Sequence, residues 1–218
     1  MQVNNFNKFP KIELHIHLDC SLSFEVVNKI DSNIDFKEYR SSFQAGSSCS
    51  SLKDYISCAD RAIELMQTKE NLELIVEDLF TQLLNDNVIY AEIRFAPLLH
   101  CEKGLDAKKV VEIICNAAST QSKKHNIDYG LILCTLRHYS EDESLQTVKL
   151  VKQFIEKGVV GFDIAADEAG YPIDNHVEAF NYAKKNNLNI TAHAGEAKGP
   201  ESIWETINDL HAKRIGHG

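Results

Sequence analysis

An α/β fold closed as a (β/α)8 barrel is the architecture this sequence predicts, with the chain supplying about the first six βα units. Three observations carry it. Short β-branched or continuously apolar segments alternate with longer amphipathic ones. Each connection between the short segments is long enough to return the next strand parallel to the last. Polar residues gather at the carboxyl ends of several segments: His15, His17 and Asp19; Glu92 and Arg94; Asp163 and Asp167; His193 and Glu196; His217. A barrel builds its site from the ends of many strands. The competing doubly wound sheet has no support, because no Gly-x-Gly-x-x-Gly follows any strand.

The first strand is expected over residues 12–19, Ile-Glu-Leu-His-Ile-His-Leu-Asp, led in by Pro10. Leu14, Ile16 and Leu18 alternate with His15, His17 and Asp19, the period of a strand. Two imidazoles thus converge on one point with a carboxylate just beyond, an arrangement that suits a divalent metal. The same alternation also fits a half-buried strand whose second face is merely polar. Ser21 and Ser23 are candidate caps for a following helix. Residues 41–51 are serine-rich and read as a loop, and a helical stretch begins at Leu52.

A helix over 69–85 carries Leu72, Ile75, Val76, Leu79, Leu83 and Leu84 at helical spacing. Strand 88–95 is β-branched and aromatic, and helix 107–124 is amphipathic. Strand 129–136 is almost wholly apolar, as when both faces of a parallel sheet are covered. Helix 141–156 is ended by Gly158. Strand 159–164, helix 175–185, strand 188–194 and helix 200–210, with Pro200 in its first turn, lead to a last strand at Arg214. The whole, 1–218, reads as a single catalytic-barrel domain, incomplete at its C-terminus.

Hydrophobic residues make up 44% and charged residues 25% of the 218, as in an ordinary globular protein. A formal charge of −9 argues against nucleic acid or an anionic membrane as partner and leaves a small molecule. No apolar run is long enough to span a membrane, and Met1–Phe6 do not resemble a signal peptide. The six cysteines form no Cys-x-x-Cys pair, so free thiols in the cytoplasm are expected. Monomer is the expected oligomeric state.

His193-Ala-Gly-Glu196 ends the fifth strand. His193 is placed to point into the barrel, Gly195 lets the backbone turn sharply, and Glu196 is carried just past the rim. Three histidines with an open position suit catalytic zinc, which brings the pKa of a bound water towards about 7. Glu196 is placed to shuttle protons, and His217 to steer or deprotonate the same water. Glu92 and Arg94 are expected to pair with each other inside the barrel. His100, His125, His138, His176 and His211 read as packing or surface residues.

Five segments occur in the order seen in adenosine deaminases: Pro10-Lys-Ile-Glu-Leu-His-Ile-His-Leu-Asp19, Val88-Ile-Tyr-Ala-Glu-Ile-Arg-Phe-Ala-Pro97, Gly161-Phe-Asp-Ile-Ala-Ala-Asp-Glu168, His193-Ala-Gly-Glu196 and Arg214-Ile-Gly-His-Gly218. The chain resembles that family from Lys8 onward. The resemblance implies a Zn2+-dependent barrel hydrolase of purine metabolism and salvage that converts adenosine, and deoxyadenosine, with water to inosine and ammonia. It implies His15, His17 and His193 as zinc ligands and Asp19 as the partner of the ribose 5′-hydroxyl, with His17 also against substrate. It implies Glu196 as proton donor to purine N1, and His217 as the residue orienting the water that attacks C6. Leu52, Tyr55 and Ile56 fall where the family has an apolar lid helix.

Three departures qualify the resemblance. Cys20 stands where the family has glycine, which would crowd the turn or forbid a positive φ. Ala166 replaces a glycine whose amide faces the purine. The family's remaining zinc-ligand aspartate, and the one after it that contacts purine N7, follow an eighth strand. The chain is therefore expected to be a C-terminally truncated member. A sister deaminase of adenine or methylated AMP, and a non-catalytic remnant, are the alternatives.

Overall fold

The structure is a computed structural model and describes residues 8–46 and 48–218. The terminal segment read against a signal peptide lies outside the described residues. Six parallel strands form a partial barrel: β1 (Lys11–His17), β2 (Val88–Phe95), β3 (Asp128–Leu136), β4 (Val159–Ala165), β5 (Thr191–Ala194) and β6 (Arg214–His217). They fall into a four-stranded sheet in the order β1-β2-β3-β4 and a two-stranded sheet of β5 and β6. An isolated parallel bridge, Phe162 to Ile190, joins the two sheets. The first strand is shorter than its alternation predicts. It stops at His17, and Leu18–Cys20 turn as a 3-10 helix that carries Asp19 inward.

Helices α1 (Phe24–Ile30), α2 (Phe36–Ser42), α3 (Leu52–Ile56) and α4 (Asp60–Leu65) precede β2, together with α5 (Lys69–Asn85). Ser23 caps α1 as expected, accepting from the Val26 amide at 3.2 Å. Helix α2 lies mostly before the serine-rich stretch and was not expected; Asp35 nucleates it by accepting from the Glu38 amide at 2.8 Å, and it buries Tyr39. Serines 41 and 42 therefore close a helix, while Ser51 caps the next.

Helix α5 turns Leu72, Ile75, Val76, Leu79, Phe80 and Leu83 onto the sheet. Burying one such side chain contributes roughly 1.5–3 kcal/mol. Helices α6 (Ala107–His125) and α7 (Glu141–Phe154) follow β2 and β3, and α8 (Val177–Lys185) and α9 (Pro200–Asp209) follow β4 and β5. Ser140 and Glu143 form a reciprocal capping box on α7. The turns that return the chain to each strand close on left-handed residues: Asn87 (φ 55°), Asn126 (55°), Gly158 (99°), Asn187 (54°) and His211 (57°). Asparagine tolerates that region better than other side chains.

The outward face of β1 is uncovered at Ile12 and Leu14. Among the described residues no helix is long and apolar enough to cross a membrane. All six cysteines are free thiols. A cavity of about 360 Å³ opens at the amino-terminal mouth between Tyr90, Asn189 and Lys213.

Candidate active site

The carboxyl ends of β1, β5 and β6 bring their imidazoles together. Nε2 of His15 and Nε2 of His17 lie 3.1 and 3.0 Å from Nε2 of His193. His217 joins them, its ring centroid 4.8 Å from that of His15 and 5.2 Å from that of His193. His15, His193 and His217 each offer a nitrogen within 4.8 Å of the others. Gly216 is what permits this: a Cβ there would stand 2.5 Å from Cε1 of His15, so only glycine lets β6 lie against that ring. The need for that glycine was not visible in the sequence.

Burial lowers the pKa of His15 to about 4, helped by the nearby Arg94 cation. Burial likewise holds His17 well below the usual imidazole range, and lowers His217 despite the opposing charge of Glu196. These rings are therefore neutral at pH 7, the form that ligates metal. Nδ1 of His193 donates to the buried carboxylate of Asp163, at 3.1–3.2 Å. That bond fixes the tautomer and leaves Nε2 with a free lone pair facing the other rings. Burial would raise the Asp163 carboxyl, but His193 and Arg94 hold it well below the usual carboxylate range. This donor set of clustered imidazoles, one of them backed by a carboxylate, fits zinc.

Arg94 pairs with Asp163 at 2.7 Å and donates to the carbonyl of Leu14 at 2.9 Å. The expected Glu92–Arg94 pair does not form. Residues two apart on a strand share a face but sit in successive layers of the interior. Glu92 instead pairs with Arg214 of β6, at 2.5 and 3.1 Å, and each charge meets a partner in its own layer.

Glu196 stands beyond the strand end with Oε2 3.5 Å from Nε2 of His217. Gly195 makes the turn at φ 78°, and a Cβ there would meet Ile203 at 2.9 Å. Asp19 is buried, 3.9 Å from Nδ1 of His17, and burial raises its carboxyl to about 6. Leu52 and Tyr55 line a cavity of about 610 Å³ with Cys49, Ala169, Glu196 and Ala197, while Ile56 is not among its lining residues. Ala166 adopts φ 78°, a left-handed conformation that glycine holds without strain. Cys20 does not: its backbone has no positive φ, and its thiol lies 3.7 Å from Oδ1 of Asp19. His100 and His176 are buried away from this cluster, the latter bonded to Ser144 and to the carbonyl of Arg137.

A family model described as adenosine deaminase matches residues 10–218. The chain belongs to the adenosine deaminase family. It is 40% identical over 216 residues to an adenosine deaminase of Clostridium acetobutylicum, covering 96% of this chain and 64% of that relative. The chain thus spans a little under two thirds of that relative's length. Among solved structures, an N6-methyl-AMP deaminase of Arabidopsis thaliana superposes with a TM-score of 0.82 at 25% identity, over 97% of this chain and 65% of that one. An amidohydrolase from Burkhoderia ambifaria with bound Zn superposes at 0.86 and 21% identity, over 96% and 59%. These likenesses are to barrel hydrolases, and their coverage matches a partial barrel.

Proposed function

We propose that this chain carries the metal-holding part of a zinc-dependent hydrolase that converts adenosine, and deoxyadenosine, to inosine and ammonia in purine salvage. The observation that carries the reading is the convergence of His15 and His17 on Nε2 of His193, with Nδ1 of His193 anchored by Asp163. In this reading His15, His17 and His193 would hold zinc, which would supply Lewis acidity for activating water near neutral pH. His217 would accept a hydrogen bond from the attacking water and orient it towards C6. Glu196 would deliver a proton to purine N1, making C6 electrophilic. Water adds there, its protons pass to N1 and to the amino group, and the C6–N bond breaks to release ammonia as the oxygen becomes the carbonyl. Leu52 and Tyr55 close over the base and exclude solvent, and the amide at Ala166 faces the purine.

Asp19 accepts from the ribose 5′-hydroxyl. Ionised above about pH 6, it repels a 5′-phosphate, which favours the nucleoside over the nucleotide. Free thiols at every cysteine fit a reducing, cytoplasmic setting.

The test loads the purified chain with zinc and follows ammonia release from adenosine, deoxyadenosine, adenine, AMP and N6-methyl-AMP. The expected result is about one zinc per chain and preference for the two nucleosides, with His193→Ala losing the metal. Preference for AMP overturns the role of Asp19. Zinc retention with no ammonia from any substrate supports the non-catalytic remnant instead.

A further inference from the structure

Glu168 lies three residues beyond the end of β4 and is buried, 1% exposed. Its Oε1 accepts from the Gly195 amide at 2.8 Å, and its Oε2 from the amides of Ala197 and Lys198 at 2.6 and 2.9 Å. The Ser202 hydroxyl, in α9, donates to Oε1 as well. Arg137, just after β3, stands 3.7 Å from Oε1 and donates to the carbonyl of His193 at 3.0 Å. Peptides on both sides of Glu196 are therefore tied to one carboxylate, and the strand end before it to the cation beside that carboxylate. Burial alone would raise the Glu168 carboxyl, yet the hydroxyl and the three amides hold it at about 2.

We infer that Glu168 is a positioning residue: it fixes the backbone over 195–198 and so sets where the Glu196 carboxyl stands relative to the imidazoles. It acts through Glu196 rather than on substrate, and the inference rests on the reading in which Glu196 delivers the proton. The geometry leaves little freedom in residue type. Glutamine has one acceptor oxygen, and its amide group would turn N–H donors towards N–H donors. Aspartate is one methylene too short to reach all three amides. An error of about 1 Å in placing a catalytic group costs on the order of a hundredfold in rate.

The experiment compares wild type, Glu168→Gln and Ser202→Ala by amide hydrogen exchange and by steady-state kinetics on adenosine. In Glu168→Gln the amides of Gly195, Ala197 and Lys198 are expected to exchange about tenfold faster, with β2 and β3 unchanged. Its kcat, per folded enzyme counted by active-site titration with zinc, is expected to fall about a hundredfold with KM within about threefold. Ser202→Ala keeps the carboxylate and its amide bonds, and should speed the same exchange by about threefold.

Unchanged exchange at those amides, or unchanged kcat in an active enzyme, overturns the inference. If wild type releases no ammonia, the deaminase reading falls, and exchange confined to 195–198 alone decides the clamp. If Glu168→Gln does not fold, Ser202→Ala decides it, and unchanged exchange there overturns it.

Discussion

Between β1 and β4 each strand joins the next by a parallel ladder, with register shifts in the β1–β2 and β3–β4 pairs, and helices α5, α6 and α7 bury their apolar faces around it. Strands β5 and β6, which carry His193 and His217 and lead into Glu196, pair with that sheet, among the described residues, through an isolated bridge at Phe162. Ile190, Ala192, Leu210 and Ala212 share the common apolar core, and polar contacts tie these strands on as well: Asp163 to His193, Arg137 to the His193 carbonyl, Glu168 to the loop amides, and Glu92 to Arg214. Helix α9 meanwhile leaves Trp204 and Ile207 exposed. Apolar packing is strong but non-directional, whereas hydrogen-bonded charges fix angles. The half that carries His193, Glu196 and His217 adds directional contacts to the shared apolar core.

Two neighbours on β4 offer the most severe way to break that comparison. Phe162 packs on Phe180 of α8, ring centroids 4.6 Å apart, while Asp163 faces Arg94 and His193. Phe162→Ala should cost about 3–5 kcal/mol through the cavity it leaves. Asp163→Ala should cost about 3–5 kcal/mol by stranding a buried guanidinium. In urea unfolding the two would look alike. Zinc titration should separate them, because only Asp163→Ala frees the imidazole and weakens metal binding by about 10–100-fold. Equal weakening in Phe162→Ala would remove the distinction between the halves.

Acid sharpens the same contrast. The folded Glu168 carboxyl lies at about 2, below its ordinary 4.5. Its ionised contacts therefore contribute fully above about pH 4.5 and are lost as pH falls towards about 2. A tenfold change in proton affinity is worth about 1.4 kcal/mol, so the loss is on the order of 3 kcal/mol. Unfolding midpoints measured across that window should fall steeply in wild type and flatten in Glu168→Gln. The smallest expected effect is at Ala166, where glycine relieves left-handed strain of about 1–2 kcal/mol against a chain-entropy cost of about 0.5–1 kcal/mol. Ala166→Gly should raise stability by less than about 1 kcal/mol in thermal unfolding.

The ladders were legible because periodicity reports on local burial, and α5 and β2 fall where Leu72–Leu83 spacing and Val88–Phe95 composition put them. Helix α2 carries its own signals, Asp35 as cap and Phe36, Tyr39 and Phe43 at helical spacing, which the serine-rich run from residue 41 masked. The histidines, Glu196 and Asp19 could be named from strand ends and motif order. Their supports could not. Glu168 and Arg137 act on residues about 27–56 positions distant, and no local pattern announces such a pairing. Arg137, a charge directly after an apolar strand, was the available hint. Glu92 and Arg94 show the converse: proximity in sequence suggested a pair, and the layering of the interior gave each a different partner.

The left-handed turns at Asn87, Asn126, Gly158, Asn187 and His211 all lie where a helix returns to its strand, at the end of the molecule remote from the imidazoles. Each begins a new βα unit. Backbone cut, lengthened or rejoined at such a joint leaves the opposite strand ends in register, so the fold is divisible into exchangeable units along seams that its chemistry does not cross.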